Sequence, residues 1–161
     1  MDQLRIGIIG TGGIATQQHI PGYQAVPGVE IAALCDVVPG RAAEAATKVP
    51  GARAYTDFRE MLEREQLDAV SVTTPNFAHR DATIAAFEAG CHVLCEKPIA
   101  MNVPEAREMV AASEKAGKLL QVGQHMRFEA EAMAPGIDEP GRDHGVDQLA
   151  AHRKAVARED G

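Results

Sequence analysis

The sequence LRIGIIGTGGIA, residues 4–15, runs from an apolar segment through a glycine-rich turn into a helical pattern, and this alternation continues to residue 123. The predicted strands are Leu4–Ile9, Val29–Asp36, a short one at about 52–55, Asp68–Thr74, 91–96 and Lys118–Gly123. Helices are predicted between them, at about 13–25, 40–48, 56–65, 76–90 and 103–117. Apolar strands separated by helices indicate a parallel sheet covered on both faces. The predicted fold class is therefore α/β, a Rossmann-type doubly wound sheet with strand order 3-2-1-4-5-6.

The glycine-rich turn has the spacing G-x-G-x-x-A, formed by Gly10, Gly12 and Ala15. The first glycine permits a tight turn, the second lets the backbone approach a pyrophosphate, and the small Ala15 lets the helix lie close to the sheet. The N–H groups at the start of the helix, including those of Gly13 and Ile14, favour phosphate binding. Glycines also form plain structural turns, but this motif lies between a strand and a helix, which favours dinucleotide binding.

A carboxylate ends the second predicted strand, at Asp36, 26 residues after Gly10. This is the position from which a carboxylate accepts hydrogen bonds from the adenine ribose hydroxyls. Its negative charge would repel a 2′-phosphate, so NAD is predicted as the cofactor in preference to NADP. Arg41 follows closely and could pair with such a phosphate. Asp36 could instead cap a helix or end the strand in solvent.

Two further strands end in polar turns, TTPN at residues 73–76 and CEKP at residues 95–98. Ligands of doubly wound sheets lie beyond the carboxyl ends of the strands, so both turns are predicted to face one cleft. Lys97 stands out there, because a strand that only closes a core would gain nothing from a Glu-Lys pair at its end. The alternatives for Lys97 are a salt bridge with Glu96 or a solvated surface position.

Together these motifs resemble the Gfo/Idh/MocA oxidoreductases, typified by glucose–fructose oxidoreductase and inositol dehydrogenase. The matching pieces are GIIGTGGIA, LCDV, TPNFAH, EKP and GQHMRF, in the right order over residues 4–128. The resemblance implies hydride transfer between a nicotinamide and a sugar or polyol hydroxyl. It implies that Lys97 is the catalytic residue beside the nicotinamide, that Glu96 lies close to the same cofactor pocket, and that Pro98 stiffens the turn.

The resemblance also assigns the turn Thr74, Pro75 and Asn76 to the cofactor cleft, with His79 on the helix that follows. A histidine in the first turn of a helix can also cap the helix or point into solvent, so both interpretations of His79 stay open. The other histidines predicted to be structural are His19, His92 and His125.

Composition places the chain among ordinary globular domains, with 161 residues, 45% hydrophobic and 24% charged, and a net charge of −7. The acidic balance and the lack of a basic run argue against nucleic acid and anionic membranes as partners. There is no apolar stretch of about 18 residues, the length that a membrane span needs. The acidic start without a secretory pattern makes the cytoplasm the expected location. The resemblance implies a small sugar or polyol substrate in the full-length family, and a homo-oligomer is left open.

The three cysteines are predicted to be buried and unpaired, and no metal site is predicted. Cys91 and Cys95 would lie about 13 Å apart on one strand, at roughly 3.3 Å per residue. A disulfide needs Cα atoms within about 7 Å of each other.

Residues 1–128 are predicted to form the cofactor domain, and residues 129–161 a poorly patterned tail without aromatic residues. Such a segment buries too little apolar area to offset its ordering entropy. In the family an antiparallel-sheet domain follows and supplies the substrate pocket, with an Asp and a His; the tail lacks its pattern, and DHGVDQLAAH at 143–152 lacks the surrounding strands. The tail is therefore expected to be disordered, truncated or out of frame, and the chain to bind cofactor without turnover. The alternative is a non-catalytic dinucleotide-binding module that acts through a partner.

Overall fold

Six parallel strands form a single sheet in the computed structural model, which describes residues 3–124. The strands are β1 (Leu4–Ile9), β2 (Val29–Cys35), β3 (Arg53–Tyr55), β4 (Ala69–Val72), β5 (His92–Cys95) and β6 (Leu120–Val122). Their order is β3-β2-β1-β4-β5-β6, and every neighbouring pair is parallel, which confirms the predicted fold class and topology. The predicted boundary at residue 128 and the predicted tail lie outside the described residues.

Helices cover both faces of the sheet, as alternating crossovers in a doubly wound fold require. They are α1 (Ile20–Gln24), α2 (Arg41–Ala46), α3 (Phe58–Arg64), α4 (His79–Glu88) and α5 (Val103–Ala116). One apolar core contains residues of α2 together with Ile8, and the other contains residues of α3, α4 and α5 together with Ile9. Successive residues of a strand point to opposite faces, so β1 contributes to both cores. None of the helices within residues 3–124 is long and apolar enough to cross a membrane.

The first helical segment differs from the single regular helix that the sequence predicts. A π-helical turn spans Ala15–His19, and the N–H of Ile20 donates to the carbonyl of Ala15 before α1 begins. Pro21 occupies the first turn of α1 and has no N–H to donate, so the regular hydrogen-bond ladder is interrupted at this point. The local widening of the helix determines where His19 lies relative to the sheet.

β4 and β5 end earlier than predicted, because the side chains of the polar residues that follow them, Thr73 and Glu96, make contacts in the turns at the carboxyl ends of the strands. Thr73 still donates its N–H to the carbonyl of Ile9, and Glu96 still donates its N–H to the carbonyl of Val72. Each residue thus continues the ladder by one bond while its side chain makes contacts at the sheet edge. The carboxyl ends of β1, β4 and β5 are held side by side.

Side-chain caps determine where two helices, α3 and α5, begin. Asp57 accepts the N–H of Arg59 and so caps the start of α3. At the start of α5, Asn102 accepts the N–H of Glu105, whose carboxylate reaches back to the N–H of Met101. This reciprocal pattern resembles a capping box, except that Glu105 accepts the N–H of Met101 and not that of Asn102, and it fixes the start of α5.

Candidate active site

Gly10 ends β1 in a conformation that only glycine adopts readily, with φ of +93°. A Cβ atom at this position would lie 2.8 Å from the carbonyl carbon and oxygen of Thr73. The hydroxyl of Thr73 donates to the carbonyl of Gly10 at 2.5 Å, and Gly10 donates its N–H to the carbonyl of Cys35 at 2.7 Å. The packing of the chain itself therefore requires this glycine.

Gly12 has a different environment, because a Cβ built on it meets no atom of the described residues within 4 Å. It lines a cavity of about 410 Å³. The cavity is lined by Thr11, Gly12, Gly13, Thr16, Arg41, Glu44, Ala45 and Lys48. Gly13 and Ile14 are exposed beside it. The open backbone and the two cations fit a phosphate-bearing ligand, which is the group that the G-x-G-x-x-A motif predicts.

Asp36 lies at the carboxyl end of β2 with only 6% of its surface exposed. Its Oδ2 accepts the N–H of Thr11 at 2.9 Å and the hydroxyl of Thr11 at 3.2 Å, and its Oδ1 accepts the N–H of Val38 at 2.9 Å. Arg41 places Nη1 3.6 Å from Oδ2. Burial alone would raise the pKa of Asp36, but the hydrogen bonds from Val38 and Thr11, together with Arg41, lower it below its usual range. Asp36 is therefore an ionised brace for the glycine-rich turn.

The turn after β4 forms the opposite wall. Pro75 and Asn76 are exposed, and the buried hydroxyl of Thr74 has no hydrogen-bond partner within residues 3–124. His79 is fully buried beneath this turn, with Nε2 2.9 Å from the carbonyl oxygen of Thr74 and Nδ1 2.9 Å from that of Pro98. The imidazole thus links the two turns of the cleft, and a direct cofactor contact by His79 stays a prediction.

Lys97 follows β5 and is exposed, ahead of a cis peptide bond to Pro98. Among residues 3–124 no carboxylate lies within ion-pair distance of its ammonium group, so the alternative of a salt bridge with Glu96 is not formed. Glu96 is buried and uses Oε2 to accept the backbone N–H of Lys97 at 3.1 Å. The ammonium group is left available to a ligand at the carboxyl edge of the sheet.

A buried polar cluster behind Glu96 was not identified as functional from the sequence. Nε2 of His19 lies 2.9 Å from Oε1 of Glu96, and Nδ1 lies 2.9 Å from the hydroxyl of Ser71, which also contacts the hydroxyl of Tyr23 at 2.9 Å. Ser71 interrupts the apolar strand AVSV, and that exception is the signal that could have predicted a buried polar partner.

The three cysteines are buried and free, as predicted. Burial raises the pKa of Cys35 to about 12, and the pKa values of Cys91 and Cys95 to about 11 each. His92 accepts the N–H of Leu119 through Nδ1, which agrees with its predicted structural role, whereas His125 lies outside the described residues. Within residues 3–124 no cluster of three or more His, Cys, Asp or Glu side chains could hold a metal ion.

The sequence matches one family model over residues 4–124, described as "Oxidoreductase family, NAD-binding Rossmann fold". It is 42% identical over 125 residues to D-glucoside 3-dehydrogenase from Escherichia coli, covering 78% of this chain and 36% of the relative. It is 34% identical over 128 residues to inositol 2-dehydrogenase from Salmonella typhimurium, covering 78% of this chain and 38% of the relative. The chain therefore spans well under half the length of these curated relatives.

Solved structures show the same architecture. The WlbA dehydrogenase from Bordetella pertussis, in complex with NADH and UDP-GlcNAcA, has a TM-score of 0.77 at 31% identity, covering 82% of this chain and 38% of that one. KijD10, a 3-ketoreductase from Actinomadura kijaniata in complex with TDP-benzene and NADP, has a TM-score of 0.76 at 29% identity, covering 82% and 42%. Similar structures thus contain either nicotinamide dinucleotide.

Proposed function

The chain belongs to the Gfo/Idh/MocA family of NAD(P)-dependent sugar and polyol oxidoreductases, and from that premise we propose that residues 3–124 bind NAD across the carboxyl edge of the sheet. The observation that carries the proposal is the contrast between two glycines. Gly10 is required by the protein's own packing, whereas Gly12 opens onto a cavity that contains two cationic side chains. A pyrophosphate beside Gly12, Gly13 and Ile14 explains a glycine that no neighbour requires.

The preference for NAD over NADP rests on Asp36. Its carboxylate is held ionised, and the three hydrogen bonds from the N–H and hydroxyl of Thr11 and the N–H of Val38 leave a lone pair on Oδ1 that can accept a ribose hydroxyl. A 2′-phosphate at this point would meet a fixed negative charge. Arg41 lies on the same side of the cavity and partly offsets that charge, so the preference is a matter of degree.

The nicotinamide, when bound, supplies the hydride acceptor or donor of the family's reaction. The groups of this chain assigned to that end are the turn Thr74, Pro75 and Asn76, of which Pro75 and Asn76 are exposed, as one wall and Lys97 as the polar group. We assign Lys97 the catalytic role: its ammonium group orients the reacting hydroxyl and stabilises the oxygen as its proton leaves. The substrate class proposed is a sugar or polyol, by analogy with the dehydrogenases named above.

We further propose that the chain binds cofactor without turnover. Lys97 is exposed, and residues 3–124 provide no enclosure around it. Water in an open cleft weakens electrostatic contacts, and without substrate walls the hydride donor and acceptor are not held in place. The second candidate function is a non-catalytic dinucleotide-binding module that acts through a partner. The observation that favours it is the exposed position of Lys97, around which the described residues form no enclosure. Three buried free thiols support a cytoplasmic location as part of this proposal.

Calorimetric titration with NAD tests the proposal, using the parent chain and the Gly12→Val variant. The introduced valine side chain would occupy the space assigned to the pyrophosphate, and we expect NAD affinity to fall at least tenfold, roughly 1.4 kcal/mol. The fold should be retained, because no described atom lies within 4 Å of a Cβ at that position. Equal affinity for NAD in both proteins would reject the assignment of the phosphate site.

A further inference from the structure

Four polar side chains form a continuous chain beneath the segment that carries Lys97. Tyr23 Oη lies 2.9 Å from Ser71 Oγ, Ser71 Oγ lies 2.9 Å from His19 Nδ1, and His19 Nε2 lies 2.9 Å from Glu96 Oε1. The side chains of His19 and Glu96 are only 8% and 10% exposed, and Ser71 is fully buried. A buried polar group without a hydrogen-bond partner is costly in free energy. The donor and the acceptor in each of these contacts must therefore be identified.

One arrangement satisfies every group of this chain with a neutral imidazole. An ionised Glu96 can only accept, so Nε2 of His19 must carry the proton, and Nδ1 must then accept from the hydroxyl of Ser71. The oxygen of Ser71 in turn accepts the hydroxyl proton of Tyr23. Burial raises the pKa of Tyr23, against the opposing effect of its bond to Ser71, so the phenol keeps the proton that it donates.

This row of hydrogen-bonded side chains ends at the peptide group of Lys97. Oε2 of Glu96 accepts the N–H of Lys97 at 3.1 Å, while the N–H of Glu96 donates to the carbonyl of Val72 at 2.9 Å. Gly123 lies against the same carboxylate, and a Cβ there would be 3.0 Å from Oε1. The carboxylate is therefore enclosed by His19, Gly123 and the backbone of Lys97, and it has one well-defined position.

The helical segment that carries His19 begins at the glycine-rich turn. The carbonyl of Gly12 accepts both the N–H and the hydroxyl of Thr16, in the π-helical turn that ends at His19. His19, the last residue of that turn, contacts Ser71 of β4 and Glu96, which directly follows β5. One short helical segment thus connects the glycine-rich turn to His19, which contacts the carboxylate of Glu96.

We propose that His19 is a positioning residue for the nicotinamide end of the cleft. As the neutral Nε2–H tautomer, oriented by Ser71 and Tyr23, it fixes the carboxylate of Glu96, which in turn fixes the peptide of Lys97. This inference rests on the proposed function, because it assumes that the nicotinamide lies beside Lys97. His19 itself touches neither cofactor nor substrate.

Comparing two ligands of the 161-residue chain separates positioning from general structural support. NADH has a nicotinamide ring and ADP-ribose lacks it, while both contain the pyrophosphate and adenosine that bind at the glycine-rich turn. In His19→Asn the amide reaches the Nδ1 position, so the donor to Glu96 is lost. We expect NADH affinity to fall roughly tenfold, the scale of one hydrogen bond to a charged group, with ADP-ribose affinity unchanged.

Two matched variants sharpen this comparison. In His19→Gln the amide nitrogen reaches the Nε2 position and restores a donor to Glu96, so most of the NADH affinity should return. Gln18→Asn alters the neighbouring exposed side chain and should change neither affinity. Equal losses of NADH and ADP-ribose affinity in His19→Asn would overturn the inference, as would no loss of either or the absence of rescue by Gln.

Nuclear magnetic resonance of the imidazole nitrogens gives a second readout that needs no cofactor. The His19 signals, assigned by their loss in His19→Gln, should show the Nε2–H tautomer at a pH where the ring is neutral. The Nδ1–H tautomer would refute the proposed hydrogen-bond direction. If the parent chain binds neither NADH nor ADP-ribose, the proposed function fails, while the tautomer still decides whether the chain is arranged as proposed.

Discussion

The carboxylate of Asp36 accepts both the backbone N–H and the hydroxyl of Thr11, at 2.9 and 3.2 Å. One side chain therefore joins the carboxyl end of β2 to the glycine-rich turn that follows β1. The same carboxylate is the group assigned to the adenine ribose. The effect of Asp36 on the geometry of the turn can be separated from its effect on the choice of cofactor. Asp36→Asn keeps an acceptor oxygen but removes the negative charge.

Replacing Asp36 should change the choice between NAD and NADP. In Asp36→Ser the negative charge is gone and Arg41 is free to pair with a 2′-phosphate. We expect the NADP-to-NAD affinity ratio to rise about tenfold, or about 1.4 kcal/mol. Asp36→Asn, which retains an acceptor for Thr11, should show a similar rise with less disturbance of the turn. An unchanged ratio in both variants would mean that Asp36 only braces the turn.

Asp36 should also contribute to stability in a pH-dependent way. Its pKa is lowered in the folded chain, so its contribution is complete above the ordinary value for Asp, about 3.9, and is lost as the pH falls further through the lowered pKa. The unfolding free energy, measured by urea titration from about pH 6 down to about pH 2, should therefore fall more steeply in the parent than in Asp36→Asn. Parallel pH profiles for the two proteins would contradict the lowered pKa.

Three glycines should respond differently to replacement by alanine. Gly10→Ala should destabilise the fold by roughly 2 kcal/mol or more, because φ is +93° and the Cβ would overlap the Thr73 carbonyl. Gly12→Ala has space and should leave the unfolding free energy within about 0.5 kcal/mol. Gly22→Ala, which is equally open but lies inside α1, serves as a comparison and should be neutral or stabilise by up to about 1 kcal/mol, because alanine is the better helix former. Urea unfolding curves measure all three, and a stable Gly10→Ala would show that the close approach is not obligatory.

The three cysteine thiols should be unreactive in the folded chain. Their pKa values, about 12 for Cys35 and about 11 for Cys91 and Cys95, leave a negligible thiolate fraction at about pH 8, and the side chains are buried. Iodoacetamide at that pH should label none of them before unfolding and all three in urea, as counted by mass spectrometry. Rapid labelling without urea would show that the sheet opens locally.

The 161-residue chain should show no dehydrogenase turnover. Production of NADH from a panel of sugars and inositols should be the same for the parent and for Lys97→Ala, because residues 3–124 provide no walls that would hold a substrate against the exposed ammonium group. Turnover that disappears in Lys97→Ala would refute this expectation and identify a complete catalytic site in the chain.

The sequence predicts the sheet well because local patterns determine it. Apolar strands, glycine turns and helix caps such as Asp57 are each readable within a few residues, and right-handed crossovers then restrict the strand order. The predicted buried, unpaired state of the cysteines follows from the same strand geometry. Strand ends are less predictable. Thr73 and Glu96 each add one backbone hydrogen bond to the sheet, but their side chains make contacts in the turns at the carboxyl ends of the strands.

The contacts within the site depend on residues far apart in the chain, and no local pattern reports them. Ser71 lies 52 residues from the histidine that it contacts, and Glu96 lies 77 residues from it. The sequence identified Glu96 but not its partner His19, because a π-helical turn shifts the direction of that side chain. Similarly, a carboxylate expected to face a ribose proves to be engaged first with Thr11 and Val38.

The alternation of Ile8 and Ile9, which face opposite apolar cores, makes β1 dependent on both layers of helices. Its amide protons should then exchange with deuterium only when the whole sheet opens, whereas those of the three-residue edge strand β3 can exchange through smaller fluctuations. The glycine-rich turn is thus attached directly to a central, slowly exchanging strand. A ligand that contacts this turn is held by a rigid segment, even if the sheet edges fray.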